Sequence, residues 1–189
     1  HAKRELIEAG KGQRLMYHKL GTSISRDKQL LTIEDEYAGE INLQGFDNEK
    51  VAILNYSRMQ GERRVSVVAY FKPDSLELGI KEFIVTPYNG FSPFDVIGMQ
   101  NGDFLVKSTF KAPNGQLVLY NPNKVNDGRI LIEQFSQPLR FANNLKDKIF
   151  CIYYDMGKYI PTVFDSTGKM VKKIFVPDGF CISGFNYTI

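Results

Sequence analysis

The sequence predicts an all-β protein of antiparallel hairpins, because short apolar runs alternate with turn dipeptides from about residue 30 onward. The runs are rich in Val, Ile, Phe and Tyr and lie at 51–54, 65–71, 104–106, 117–120, 130–132, 149–154 and 171–176. The dipeptides between and after them are Asn-Gly, Asp-Gly or Thr-Gly, at 101–102, 114–115, 127–128, 167–168 and 178–179. Strand-length runs punctuated in this way are typical of β-hairpins.

Composition indicates the class of protein to which these hairpins belong. The chain has 189 residues, of which 43% are hydrophobic, 24% charged and 13% aromatic, so it can bury one sizeable core and is neither disordered nor fibrous. Its net charge of +3 is spread along the sequence, which argues against a nucleic-acid partner. No apolar run approaches the roughly 20 residues of a membrane helix, so no membrane span is expected.

The first part of the chain differs from the rest. Residues 2–9 are helix formers, and Gly10 and Gly12 end that stretch, so we expect an arm or short helix at 1–22 and a β-repeat domain at 23–189. Both cysteines, Cys151 and Cys181, lie in apolar runs and are expected to pack as small hydrophobic side chains. A disulfide between them is the alternative, and the redox compartment stays open.

The hairpins repeat at an offset of 45 residues. The segment 102–107 matches 147–152, and Val118 matches Val163 at the same offset. One copy contains four strands, at 94–100, 103–108, 116–120 and 129–134, and four short strands in a repeat of this size predict a β-propeller blade. We therefore expect blades at approximately 45–92, 93–135 and 136–178.

Three antiparallel four-stranded blades are fewer than the roughly four to eight of a closed propeller. We therefore expect a partial β-propeller that is completed either by a longer chain or by a second copy in a homodimer. The alternative fold is a β-sandwich or a barrel of lipocalin size, in which the repeat has no structural meaning. A lipocalin-like barrel would carry an apolar ligand, although the chain has no Trp for the Gly-x-Trp signature of that family.

The hairpin at 163–169 carries a resemblance to a known family. Its pattern is an apolar pair, Asp165, two spacers, Gly168 and Lys169, and it resembles the hairpin common in six-bladed propellers of the NHL and TolB-like kind. The Trp-Asp dipeptide of WD-type blades and the double glycine of kelch blades are absent. The resemblance covers about residues 45–189 and implies propeller blades without implying one particular activity.

Motifs for catalysis are scarce in this sequence. Only His1 and His18 are present and both precede the repeats, which excludes a histidine-based triad inside the blades and argues against a multi-histidine zinc site. No Gly-x-Ser-x-Gly, Gly-Lys-Ser/Thr or His-Glu-x-x-His motif occurs. The acidic run 34–36 lacks the glycine and the spaced partners of a calcium loop, which favours a solvated turn. We therefore expect no metal and no cofactor, and assign no catalytic residue.

Candidate binding residues follow from propeller geometry. The loops between the second and third strands of each blade lie at the same end as the links between blades, around the mouth of the central channel. In this chain those loops carry cations beside aromatic side chains, which suits a small anionic or sugar-like ligand or a protein partner. The candidate residues are Arg58, Arg64, Tyr88, Phe91, Arg140, Asp155 and Tyr159.

Two functions fit these observations. The favoured one is a non-catalytic binding or protein-interaction module built from propeller blades, with an extracytoplasmic location, because no nucleophile motif occurs and histidine is nearly absent. The alternative is a hydrolase or lyase that acts on a carbohydrate or ester with Asp, Arg and Tyr residues at the channel mouth. Convergence of two carboxylates at that mouth would distinguish the enzyme from the binding module.

Overall fold

A computed structural model describes residues 12–33, 41–46, 50–90, 92–177, 180 and 182. The described residues form three four-stranded antiparallel sheets and one two-stranded sheet, so the predicted all-β class is confirmed. In each four-stranded sheet the strands are neighbours in the order in which the chain visits them, as in a propeller blade. No helix in the described ranges is both long and apolar enough to span a membrane.

The first compact unit, His1–Ser92, contains a hairpin and one blade. The hairpin pairs β1 (Gln13–Tyr17) with β2 (Lys28–Ile33), and a short 3-10 turn at Ile24–Arg26 lies between them. The blade is made of β3 (Asn42–Phe46), β4 (Val51–Gln60), β5 (Arg63–Phe71) and β6 (Lys81–Pro87), with a 3-10 segment at Pro73–Leu78. Thus β1 lies within the range 1–22 predicted as an arm or short helix, whereas the helix formers at 2–9 lie outside the described residues.

A cluster of buried apolar side chains lies on one face of the blade in this unit. Alternate residues of neighbouring strands, such as Leu54, Val67 and Ala69, are almost fully buried there, because successive side chains of a strand point to opposite faces. Partly buried side chains of the β1–β2 hairpin, Leu15 and Leu31, pack against the same cluster. The hairpin thus covers an apolar face that the blade would otherwise expose.

The second compact unit, Pro93–Ile189, contains two blades. One has β7 (Phe94–Gln100), β8 (Asp103–Ser108), β9 (Gln116–Tyr120) and β10 (Gly128–Ile132). The other has β11 (Leu139–Leu145), β12 (Lys148–Asp155), β13 (Lys158–Asp165) and β14 (Met170–Lys173). Their shared core includes Leu105, Leu117 and Ile149, which have no exposed surface, and Phe164.

Tight turns explain why these strands end where they do. Asn101 and Gly102 have φ values of 51° and 87°, and positive φ at both central residues is what a type I′ hairpin turn requires. The Asn114-Gly115 pair differs, because it ends a longer loop whose Asn114 carbonyl accepts a 2.7 Å hydrogen bond from the Leu139 backbone N–H. The same dipeptide type therefore closes a hairpin in one place and links two blades in the other.

The two blades of the second unit are joined by hydrogen bonds where their first strands, β7 and β11, approach each other. The Asn144 amide donates a 2.9 Å hydrogen bond to the Met99 carbonyl and accepts one of 3.3 Å from Gln100. It can come this close because Gly98 has no side chain, and a Cβ built there would lie 2.8 Å from Asn144 Nδ2. A glycine in mid-strand here marks a close approach between neighbours.

Candidate functional site

The loops of the second unit converge at one end of its two blades. Asn114 Nδ2 donates to the carbonyls of Phe135 and Ser136 at 2.9 and 3.1 Å, which ties the β8–β9 loop to the link between blades. The Tyr154 N–H donates to the Pro138 carbonyl at 3.0 Å, which ties that link to the start of the β12–β13 turn. These hydrogen bonds hold the β8–β9 loop, the link between the blades and the end of β12 near one another.

Three of the seven candidate residues lie together at this end. The Arg140 guanidinium lies over the Tyr154 ring, 5.4 Å from its centroid, and the Tyr154 ring contacts the Tyr159 ring edge-on at a centroid distance of 5.4 Å. Asp155 follows Tyr154 and accepts a 3.4 Å hydrogen bond from Gln137. We call Arg140, Tyr154, Asp155 and Tyr159 the rim cluster.

An open cleft of about 620 Å³ begins at the rim cluster. Asp155 and Tyr159 line it together with Lys158 and Lys173, and apolar side chains complete the lining. Two of these, Met156 and Phe175, are 98% and 85% exposed. The cleft thus combines exposed apolar surface with amino groups and one carboxylate, which suits a peptide better than a uniformly polar ligand.

In the first unit, Arg58 is held by other side chains of its own sheet. Its Nε and Nη2 donate to the two carboxylate oxygens of Glu82 at 2.9 and 2.7 Å, and the Tyr56 hydroxyl donates to the same carboxylate at 2.7 Å. Burial alone raises the pKa of Glu82, but the hydrogen bonds from Arg58 and Tyr56 outweigh burial and hold that pKa below its ordinary value. Arg58 therefore fastens β4 to β6, and its guanidinium is occupied by a bidentate pair.

The lowered pKa of Glu82 predicts how stability depends on pH. A carboxylate with a depressed folded-state pKa stabilises the fold above its ordinary value of 4.5 and loses that contribution as the pH falls through the folded-state pKa. We expect Glu82→Gln to cost about 1–2 kcal/mol at pH 7, because three hydrogen bonds to a charge are weakened.

The same difference should shrink steadily as the pH falls below 4.5. Urea unfolding at several pH values measures it, and Glu133→Gln, at an exposed carboxylate, is the control. A Glu82→Gln cost that stays constant down to pH 3 would contradict this account of the pair.

Arg64 and Tyr88 meet at the end of the first unit where β5 begins. The Arg64 guanidinium carbon lies 4.6 Å from the Tyr88 ring centroid, and the Tyr88 N–H donates to the Arg64 carbonyl at 3.1 Å. Arg64 Nε and Nη2 donate to the Ser57 hydroxyl at 3.1 and 2.9 Å. The candidate Phe91 lies outside the described residues.

The described residues hold no complete set of nucleophile, base and orienting acid of the triad kind. His18 bonds to Asp27 at 2.6 Å in the β1–β2 loop, but within the described ranges no serine or threonine hydroxyl bonds to its ring. Burial raises the pKa of the Cys151 thiol to about 12, so it is not a thiolate nucleophile at neutral pH. In the same ranges no three His, Cys, Asp or Glu side chains gather as metal ligands. Cys181 and the acidic run 34–36 lie outside them.

Sequence reasoning missed some residues that the structure brings to these places. Tyr154 lies between Arg140 and Tyr159, and its position next to the buried Tyr153 at the end of an apolar run was the available signal. Glu82 is 24 residues from Arg58 along the chain, and only the strand register brings the two together.

Comparison with known families gives one match that covers nearly the whole chain. The family model described as the N-terminal β-propeller domain of prolyl oligopeptidase matches residues 2–188. No curated protein sequence matches the chain.

Solved structures give the same fold at low sequence identity. One, from a structural and mechanistic analysis of two prolyl endopeptidases, has a TM-score of 0.69 at 17% identity, with 90% of this chain and 24% of that chain covered. Another is prolyl oligopeptidase B from Galerina marginata without ligand, with a TM-score of 0.63 at 16% identity, 87% of this chain and 23% of that chain being covered. The chain therefore spans about a quarter of the length of the structures it matches.

These matches correct two of the predictions made from the sequence. A β-propeller is supported, but the NHL and TolB-like kind is not, since the family model is that of the prolyl oligopeptidase propeller. The prediction of a non-catalytic binding or interaction module is wrong, because the matched family is one of peptidases, and the alternative of a hydrolase fits better. That prediction rested on the absence of nucleophile motifs and the scarcity of histidine, and these features do not distinguish a binding module from the propeller domain of a peptidase family.

Proposed function

This chain belongs to the family of prolyl oligopeptidase N-terminal β-propeller domains, and on that premise we propose that it forms part of the propeller of a peptidase acting on proline-containing peptides. The observation that carries the proposal is the family match over residues 2–188. Relatives of the same fold are described as a prolyl endopeptidase and as an oligopeptidase bound to peptide substrates of 25 and 35 residues.

In this proposal the groups that break the peptide bond come from outside the chain. The chain has two histidines, one of which pairs with Asp27 in a hairpin loop, and its described cysteine is a buried thiol. The chain also spans about a quarter of the matched structures, which leaves ample length for a catalytic domain elsewhere. The range 23–189 then supplies blades, and its part in the reaction is to position the peptide.

The rim cluster is the part of this chain that we assign to the substrate. The exposed guanidinium of Arg140 offers donors to peptide carbonyls, and the rings of Tyr154 and Tyr159 offer flat apolar surface to a proline ring. Proline-rich segments are extended and preorganised, and other binding proteins recognise them with aromatic grooves. Since Asp155 and Tyr159 also line the cleft, a peptide held at the rim can continue into it.

The test is peptide hydrolysis by the full-length protein carrying Arg140→Gln. We expect KM for a proline-containing peptide of about 20 residues to rise by about 5–10-fold, with kcat within twofold, because an exposed contact to the peptide binds ground state and transition state alike. Arg129→Gln is the matched control, since Arg129 is also an exposed arginine and lies on β10, where it pairs with Asp103 at 3.6 Å. Equal effects of the two variants would remove the rim cluster from substrate binding. Failure of the wild type to cleave after proline would remove the proposed activity itself.

A further inference from the structure

A row of hydroxyl groups crosses the blade of the first unit near the end where β4 turns into β5. Ser57 pairs with Ser66, and Ser66 pairs with Thr86, in neighbouring strands β4, β5 and β6. Directly paired residues lie on the same face of a sheet, so the three side chains form one line. All three are buried, with 4%, 3% and 8% of their surface exposed.

Two of these hydroxyls lack a partner. Neither Ser66 Oγ nor Thr86 Oγ1 has a hydrogen-bond partner among the described residues, and both atoms have almost no exposed surface. Ser57 Oγ is different, since it accepts two hydrogen bonds from the Arg64 guanidinium. A buried hydroxyl without a partner is costly, so two of them in one row need an explanation.

A positive charge lies beside this row, and no carboxylate of the described residues pairs with it. Arg64 is two residues before Ser66 on β5, so both side chains emerge on the same face. Within the described ranges no carboxylate lies within 4.0 Å of the Arg64 guanidinium, whereas Arg58 has its bidentate partner Glu82. The Tyr88 ring flanks Arg64 at 4.6 Å and limits its movement on that side.

We propose that Arg64, Ser66 and Thr86 form a binding site for a carboxylate. The guanidinium supplies the charge and a donor, and the two hydroxyls supply the further donors that an oxyanion accepts. Arg64 is only partly buried and lies next to the β4–β5 turn, so its guanidinium is the part of the site that reaches solvent. On the proposed function, on which this step rests, the carboxylate is the free C-terminus of a peptide.

The first experiment measures carboxylate binding by the 189-residue chain itself, with acetate titrated against chloride at constant ionic strength and chemical shifts as the readout. We expect saturable binding that Arg64→Gln weakens at least 10-fold. Arg63→Gln, which removes the same charge from the exposed neighbouring residue, should leave binding within twofold. Loss of binding in both variants, or no saturable binding in the wild type, would overturn the site.

Two near-isosteric variants keep the proposal testable even where Arg64→Gln perturbs folding. Thr86→Val and Ser66→Ala remove one donor each, and each should weaken acetate binding by about 3–10-fold. If the hydroxyls have no ligand, both variants should instead raise the midpoint of thermal unfolding and leave acetate binding unchanged. That result would show two unsatisfied hydroxyls and no carboxylate site.

A last comparison separates a peptide carboxylate from a free anion. A short peptide with a free C-terminus should bind the chain, and the same peptide with an amidated C-terminus should bind at least 10-fold more weakly. Equal binding of both peptides, or binding of acetate alone, would overturn the assignment to a peptide carboxylate. This binding is measured without hydrolysis, so the test of the carboxylate site is independent of the test of peptidase activity. The site can be confirmed when the full-length protein cleaves no peptide, and it can be ruled out when the protein does cleave one.

Discussion

Gly168→Ala is expected to lower the free energy of unfolding by about 3–4 kcal/mol, because the position demands two things that only glycine offers. Its φ is +83°, in the left-handed region where a Cβ is strained. A Cβ built at this position would also lie 2.3 Å from the backbone carbonyl oxygen of Leu131 on the neighbouring blade of the same unit. A backbone atom cannot move aside as the end of a flexible side chain can, so the blades must separate.

Gly157→Ala is the control for that prediction. Gly157 has φ +89°, but a Cβ there would meet nothing within 4 Å, so only the backbone strain of about 1–2 kcal/mol remains. Urea unfolding of the 189-residue chain measures both variants. Equal losses of unfolding free energy in the two variants would contradict the expected clash between the new Cβ of Gly168→Ala and the Leu131 carbonyl.

Phe164→Ala is expected to cost about 3–5 kcal/mol, as does removal of other buried aromatic rings. Phe164 is 2% exposed and lies in the core that the two blades of the second unit share. Its ring stacks against Phe135, from the link between the blades, at 6.4 Å, and contacts Tyr153 at 6.5 Å. Removing it would leave a cavity beside these two rings in a closely packed core.

Phe175→Ala is the matched control, since it removes the same side chain from a position that is 85% exposed. We expect a change within about 0.5 kcal/mol. Denaturant unfolding compares the two, and a Phe164→Ala loss no larger than that of Phe175→Ala would contradict the shared core described above.

Strand positions were predictable wherever a turn dipeptide marks the end of a strand. The predicted strands at 94–100, 103–108 and 116–120 coincide with β7, β8 and β9, because Asn101-Gly102 fixes one hairpin and Gly115 ends the next loop. The predicted strand at 129–134 ends earlier, at Ile132. The residues after it leave the sheet to contact Asn114, a long-range interaction that local pattern does not contain.

The hairpin at 163–169 did not identify the correct family of propellers. Asp165 Oδ1 accepts hydrogen bonds from the backbone N–H groups of Thr167 and Lys169 and from the Thr167 hydroxyl, at 2.9, 3.0 and 2.6 Å. An Asp side chain that caps its own turn is a local motif, and it occurs in hairpins of unrelated proteins. It therefore indicated a hairpin correctly and gave no information on which kind of propeller contains it.

Part of the candidate site was predictable from the order of the strands. Propeller connectivity places the segments that carry Arg140, Asp155 and Tyr159 at the same end of the blades, and these residues lie together in the structure. The sequence could not show that Arg58 is held by Glu82, or that no carboxylate of the described residues holds Arg64 in the same way, because strand register decides which side chains are neighbours. Nor could it indicate the peptidase family, since no Gly-x-Ser-x-Gly or His-Glu-x-x-His motif occurs in these 189 residues.

Hydrolysis of a proline-containing peptide, measured for the full-length protein and for the 189-residue chain alone, tests the central claim most directly. We expect cleavage after proline by the full-length protein and none by the chain alone, which should nevertheless unfold cooperatively. Cleavage by the isolated chain would contradict the assignment of the catalytic groups to another part of the protein. Absence of cleavage by a folded full-length protein would contradict the proposal that these blades belong to a working peptidase.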